Sequence, residues 1–393
     1  MLGVEPPGPQ LSTDLLSDFD LSGVENVVLL VVDGLGMNEW RRQGDAGLVR
    51  DLTRGGRVNE VTTVFPSTTA AALTTLATGL TPQEHALPEW FVYMKEVNSV
   101  VATLPFSFIG DWGRETLKGR MRPRALFRGT TLFRRLNDAG VVTYSFINRS
   151  LVDSTYTTLV HRDSRVLPYS SSSDLTASLR RTVESARGPS FLYVYWSRVD
   201  SVEHEYGPNT DESELEAASI SFLLHTGFIG RLSRQAAKRT LIIVTADHGQ
   251  VRVDPEDTLY LNRYRSVTSK FRKVGGKRIT PAGSPRDVFL HMEEESVDET
   301  QKVLSDRLAG SATVLKTEDA IRAGLFGLNT PSKKFRERVG DLLILPHGTG
   351  TVWYRGGRGY DLELRGLHGG LSGEEMTVPL ALGRVSELQD RSA

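Results

Sequence analysis

The chain has 393 residues and a formal net charge of −1, with 39% hydrophobic and 24% charged residues. That balance suits a globular protein with a sizeable core and gives no charge-driven attraction to nucleic acid or anionic membranes. With no cysteine in the chain, disulfides, thiolate metal sites and thiol nucleophiles are excluded.

Residues 1–24 are rich in Pro, Gly, Ser and Asp and read as an irregular lead-in. They carry neither the basic start nor the apolar run of a signal peptide. No stretch of the chain approaches the ~18 apolar residues of a membrane span. The expectation is a cytoplasmic protein without a membrane partner.

Asn26–Asp33 (NVVLLVVD) is a continuous β-branched and leucine run. Uniformly apolar strands of this kind suit a parallel sheet covered on both faces. Similar runs follow at Val141–Asn148, Ser190–Trp196 and Thr240–Asp247. Helical patterns lie between them, in TTLFRRLNDAG, SSDLTASLRRTVESA and DESELEAASISFLLHTGFIGRL. The alternation predicts an α/β fold, a mostly parallel central sheet with helices on both faces. Residues 25–267 and 356–393 are assigned to that domain, and 268–355 to a smaller inserted α+β lobe. The stretch Arg114–Arg135 holds eight Lys or Arg and one Glu. It reads either as a solvated basic helix and loop or as a basic wall near an anionic substrate.

Several predicted strands end in carboxylates. Asp33 precedes GLG, and Asp247 precedes His248 and Gly249. Ligands of open parallel sheets bind beyond the carboxyl ends of the strands, so such residues can converge on one cation. Each can equally serve as a helix N-cap. Asp200 follows the strand SFLYVYW, and His204 stands four residues later, on the same face if the segment is helical. Aspartate oxygens and imidazole nitrogens suit zinc or manganese. His368 precedes two glycines in LHGGLSGEEM, where a sharp turn is permitted.

The blocks VVLLVVDGLG, FPSTTAAALTTLATGLTPQEH, VDSVEHEYGP, TADHGQ and HGGLS occur in this order from residue 27 to residue 372. Together they resemble the alkaline phosphatase superfamily, in its nucleotide pyrophosphatase/type I phosphodiesterase branch. The resemblance implies two divalent metal ions, zinc in most of this branch, with manganese as the alternative. It assigns Asp200, His204 and His368 to one ion, and Asp33, Asp247, His248 and a nucleophilic hydroxyl to the other. His347 is the runner-up for the role given to His368. His85, His161, His225 and His291 are left to structural duties.

Ser67, Thr68 and Thr69 all stand at the start of a predicted helix, and each is a natural capping residue. The register implied by the Thr78–Gly79 pair, in TLATG, makes Thr69 the nucleophile and Thr68 the second choice. The resemblance then implies a metal-dependent hydrolase of small phosphodiester or phosphoanhydride substrates, nucleotide-like, acting through a phospho-threonine intermediate. Water at the Asp200, His204 and His368 metal releases the intermediate, and the Ala70 amide donates to a phosphate oxygen. Where relatives carry a phosphate-holding asparagine, this chain has Trp90, in PQEHALPEWFVY. Trp90, with Phe91 and Tyr93, is either an apolar or base-stacking wall or part of the core. A phosphomonoesterase or phosphonate hydrolase would share the same core. The alternative of another class is a non-catalytic metal-binding or nucleic-acid-associated protein.

Overall fold

The structure, a computed structural model, describes residues 2–6, 8, 10–15, 19–111, 113–356 and 362–392. Residues 1, 7, 9 and 16–18 of the expected lead-in lie outside the described residues, as do 357–361 and 393 of the C-terminal segment.

The central sheet has seven strands in the order Arg57–Thr62, Thr377–Arg384, Thr240–Thr245, Asn26–Val32, Ser190–Trp196, Val142–Asn148 and Arg165–Tyr169. The last five run parallel to one another, and Thr377–Arg384 pairs antiparallel on both sides. All four apolar runs of the sequence become strands here. Side chains alternate between faces along a strand. Val28, Leu30 and Val32 therefore pack into one core with Trp40, Ile220 and Leu224. Val27 and Val31 pack into a second core with Ala70, Leu73 and Phe133. Both faces are dry, which is why these strands show no polar alternation.

The parallel register sets Val32 opposite Trp196 and Val31 opposite Thr245. The chain segments that leave these three strands consequently emerge side by side at one edge. Asp33, Asp247 and the Arg198–Tyr206 helix with Asp200 and His204 all start from there.

A second seven-stranded sheet is antiparallel throughout, in the order Ala312–Lys316, Leu342–Pro346, Asp287–Leu290, Ala282–Ser284, Phe91–Met94, Ser99–Ala102 and Ser107–Phe108. The segment 268–355, expected to form a lobe by itself, supplies four of these strands, and residues 91–108 supply the other three. Among the described residues, no helix is long and apolar enough to cross a membrane.

One buried ion pair joins the second sheet to a loop of the first, and one buried carboxyl pair lies within the second sheet's own segments. Arg286, in the turn between Ala282–Ser284 and Asp287–Leu290, sends Nε and Nη2 to the two carboxylate oxygens of Glu375, at 3.0 and 2.8 Å. Both residues are essentially inaccessible, at 1% and 0% exposure, so neither charge has water as an alternative partner. The carboxyl pair is Glu89 and Asp287, both buried and each acting on the other's charge. Burial pushes Glu89 up to about 8 and holds Asp287 well above the usual carboxylate range, with the Glu89 charge adding to the shift on Asp287. The pair accordingly keeps a proton at neutral pH.

Replacing one partner of a buried ion pair strands the other charge, at a cost of roughly 3–5 kcal/mol. Arg286→Met is expected to lower unfolding free energy by about that amount in urea titrations, whereas Arg286→Met with Glu375→Leu loses less. The carboxyl pair gives a pH signature. Carboxyls with raised folded pKa values contribute stability that is complete below about pH 4, the unfolded range, and is lost as pH rises through the folded value. The urea midpoint is therefore expected to fall from pH 6 to 9, through the value of about 8 held by Glu89. Glu89→Gln should flatten that slope.

Candidate metal centre and nucleophile

Asp33 and Asp247 each have one carboxylate oxygen held and the other bare. The Tyr195 hydroxyl donates to Asp33 Oδ2, while the buried Asp33 Oδ1 has no partner. The backbone amides of Gly34 and His248 donate to Asp247 Oδ1 at 3.3 and 3.1 Å, while Asp247 Oδ2 has none. Gln250 Nε2 donates to Asp200 Oδ1 at 2.7 Å. The chains crowd closely here. At Gly34, with φ +80°, a Cβ would lie 2.9 Å from the Asp200 Cα.

The three histidines expected at the site face inward in a single tautomer. His204 Nδ1 lies 2.7 Å from the Gly366 carbonyl, His368 Nδ1 3.0 Å from that of Ser67, and His248 Nδ1 3.2 Å from that of Gly249. A carbonyl only accepts, so each Nδ1 carries the proton and each Nε2 presents a lone pair. These lone pairs point at carboxylate oxygens. His204 and His368 Nε2 stand 3.3 and 3.6 Å from Asp200 Oδ1, and His248 Nε2 stands 3.4 Å from Asp33 Oδ1 and 3.6 Å from Asp247 Oδ2. Lone pair against carboxylate is repulsive unless a cation lies between them. Ligand bonds of about 2.0–2.2 Å in tetrahedral geometry separate neighbouring donors by roughly 3.3–3.6 Å, so these spacings fit a small divalent ion.

Two clusters satisfy a ligand geometry: Asp200, His204 and His368, and Asp33, Asp200 and His248, each with its donor atoms within 4.8 Å of one another. Asp200 belongs to both by distance. Burial and the charges of Asp200 and Asp247 hold Asp33 well above the usual carboxylate range. Burial, with His248 and His204 nearby, holds His368 well below the usual imidazole range and so keeps it neutral. The residues present thus fit divalent cations: bare buried carboxylate oxygens, neutral imidazoles and lone pairs all converge.

His347 is excluded from this set. It is exposed on the second sheet, bonded to Thr313 and the Gly310 carbonyl. His85, His161 and His291 are buried against structural partners, and burial brings them down to about 3, 3 and 4. His225 pairs with Asp51 at 2.5 Å.

The three adjacent hydroxyls separate cleanly. The Ser67 hydroxyl donates to the Gly370 carbonyl at 2.8 Å and accepts from the Gly369 amide at 3.1 Å, binding the loop of His368. Thr68 is the N-cap of the Thr69–Thr78 helix, and its side chain accepts from the Ala70 amide at 3.2 Å. Thr69 Oγ1 lies 3.0 Å from His248 Nε2. With Nδ1 protonated, that contact is a bond donated by the threonine, so its oxygen lies among the candidate ligands. The Ala70 amide, expected to face a phosphate oxygen, is instead taken by Thr68, because an N-cap side chain satisfies one of the first free amides of its helix.

Beside Thr69 lies a cavity of about 200 Å³, whose walls include Asp33, Asp200, Tyr195, Trp90 and Arg114. Trp90 lines it, half-buried, while Phe91 packs on Trp353 and Tyr93 on His291 in the second sheet. Of the basic stretch 114–135, Arg114 is the residue that reaches the cavity. The sequence marks Ser67 as a capping hydroxyl but does not single out Tyr195 or Gln250. Tyr195 was hidden in a uniformly apolar strand, where nothing marks its face. Gln250 closes the TADHGQ block, which was its one available signal.

Other proteins share this arrangement of elements. Murine ectonucleotide pyrophosphatase/phosphodiesterase 5, solved in an inactive form in complex with AMP, matches with a TM-score of 0.67 at 18% identity over 93% of each chain. Phosphonoacetate hydrolase from Sinorhizobium meliloti 1021, in complex with phosphonoformate, matches with a TM-score of 0.63 at 17% identity, over 93% of this chain and 94% of the other. Venom phosphodiesterases 2 and 1 of Crotalus adamanteus are each 23% identical over 247 residues, 62% of this chain. That match spans 29% and 27% of their own lengths, under a third of either protein. The family model for type I phosphodiesterase/nucleotide pyrophosphatase matches residues 27–371, nearly the whole chain. The chain belongs to the type I phosphodiesterase/nucleotide pyrophosphatase family.

Proposed function

We propose that this protein hydrolyses small phosphodiester or phosphoanhydride substrates, nucleotide-like in character, through a covalent intermediate on Thr69. The observation that carries this reading is the 3.0 Å approach of Thr69 Oγ1 to His248 Nε2, beside the bare carboxylate oxygens of Asp33 and Asp247. Asp200, His204 and His368 would hold one ion, and Asp33, Asp247, His248 and Thr69 the other. Mixed Asp and His donors favour zinc, with manganese as the alternative. The chemistry supplied by two such ions is charge neutralisation at phosphoryl oxygens and a lowered pKa for a coordinated hydroxyl.

The chain's own residues do the rest. Thr69 Oγ1 forms its bond to phosphorus as the bond to the leaving oxygen breaks. The Thr69–Thr78 helix fixes that oxygen, and at 6% exposure Thr69 offers little surface to competing water. Tyr195 holds the outer oxygen of Asp33, and the three carbonyl bonds hold the imidazoles in one tautomer. Water then cleaves the Oγ1–P bond and restores the threonine. Trp90 offers an aromatic wall where a base or other flat group can lie.

Thr69→Ala is expected to reduce bis-p-nitrophenyl phosphate cleavage by at least about a thousandfold, by analogy with loss of other covalent nucleophiles. Its zinc or manganese content, measured by elemental analysis, should persist at reduced stoichiometry or affinity. Thr68→Ala should keep turnover while losing about 1 kcal/mol of stability with its cap. Full activity in Thr69→Ala overturns the assignment. Faster hydrolysis of p-nitrophenyl phosphate than of the diester would favour a phosphomonoesterase with the same core.

A further inference from the structure

Resting on that reading, we infer that Arg114 recognises a second anionic group on the substrate, carried by the part of the molecule that stays bonded to phosphorus. The cavity beside Thr69 has Asp33, Thr69 and Asp200 at one end, but its described lining includes neither His204 nor His368. It thus extends from the nucleophile's side of the site. A leaving group in line with Thr69 departs on the other side, so the cavity receives the retained substituent. A neighbouring hollow shares Trp90, Pro105 and Arg114 with this cavity and none of the metal-ligand candidates. These three residues therefore form the wall shared by the two spaces, apart from the metal-ligand candidates.

Arg114 is the one Lys or Arg among the described lining residues. Other cations of its stretch are engaged: Lys118 with Glu115 at 3.4 Å, Arg134 with Asp138 at 3.1 Å, and Arg120 over the Phe108 ring. Among the described residues, none bonds to or pairs with the Arg114 guanidinium. The backbone beside it is held in place at some conformational expense. Glu115 has φ +69°, which a non-glycine residue rarely adopts. Its amide donates to the Pro105 carbonyl at 2.9 Å, and its carboxylate accepts from the Thr155 amide at 2.7 Å. Pro105 lines the cavity, and so do Tyr156, Thr157 and Val160 of the Thr155–Val160 helix that Glu115 grips. The strained residue thus fixes Arg114 against the two walls it must bridge.

The remaining wall is apolar or neutral, from Trp90, Leu104, Leu151, Ser154 and Thr157. Arg114 is exposed where it lines this space, free to offer its guanidinium to a carboxylate or phosphate on a short substituent. Phosphoryl charge is already met at the metal end, so the group at Arg114 is a separate one.

Two p-nitrophenyl diesters test this: the 2-carboxyethyl ester and its neutral propyl counterpart. Each gives p-nitrophenolate and the matching monoester on hydrolysis. With the zinc-loaded protein, kcat/KM is expected to favour the carboxyethyl ester by about tenfold, chiefly through KM. A 2-phosphoethyl ester reports whether phosphate is preferred to carboxylate as the second anion. In Arg114→Gln the ratio of charged to neutral ester should fall to about one, with Arg114→Lys intermediate. Equal rates for the two esters in the unaltered protein overturn the inference and leave the proposed hydrolysis standing. So does a ratio unchanged in Arg114→Gln, including a parallel loss of both esters, which would put Arg114 on the phosphoryl group. Failure to cleave any of the esters overturns the proposed function, and this inference with it.

Discussion

The arrangement depends on one unfavourable juxtaposition, bare carboxylate oxygens and imidazole lone pairs aimed at one another at a largely buried sheet edge. Asp33 and Asp247 are 2% and 1% exposed, and each keeps one oxygen unpartnered. In an apolar interior such groups are expensive unless something positive lies between them. The parallel sheet makes the juxtaposition unavoidable, because neighbouring strands in register deliver their following residues to the same edge. The surrounding bonds then prevent its relief. Tyr195, two backbone amides and three backbone carbonyls hold the outer atoms of these groups, so the inner ones cannot turn away. An ion bound there would stabilise the fold itself, since the unfolded chain has no such cluster to offer.

The hydroxyl row from Ser67 to Thr69 shows how neighbouring residues of similar chemistry are given different work by geometry. Ser67 precedes the helix and reaches the glycine loop of His368. Thr68 turns back to cap the helix. Thr69, the first helical residue, projects toward His248. A shift of one residue in helix start would exchange these duties. The Thr68 cap at one end and Gly79, in the left-handed region, at the other fix that start and stop.

Much of this was legible in the sequence because it rests on local pattern. Four apolar runs read as buried strands, and four they are. Asp200 and His204 read as one helical face, and their side chains meet at 3.3 Å. His368 and His347 are each followed by glycine, yet only the HGGLS block carries its histidine to the cluster. What stayed hidden depends on contacts distant in the chain. Gly283 pairs with Phe91 in the second sheet, a partnership that no local pattern announces. Arg286 and Glu375 read as ordinary surface charges until they are found buried against each other. The sequence points the Ala70 amide at a phosphate oxygen, whereas in the structure it donates to a side chain two residues away.

The second sheet's mixed parentage constrains how this chain can be taken apart. Cutting out residues 268–355 would remove four strands and leave Phe91–Met94 with an open edge and apolar residues stripped of their cover. Such an edge invites pairing with another chain. The segment also carries Arg286 and Asp287, so the cut would expose Glu375 and Glu89 as well. Any exchange of this lobe with that of another protein must therefore move two stretches of chain together, residues 89–108 and 282–346. During synthesis, the free edge at Phe91 must wait for about 190 further residues before its partner Gly283 exists.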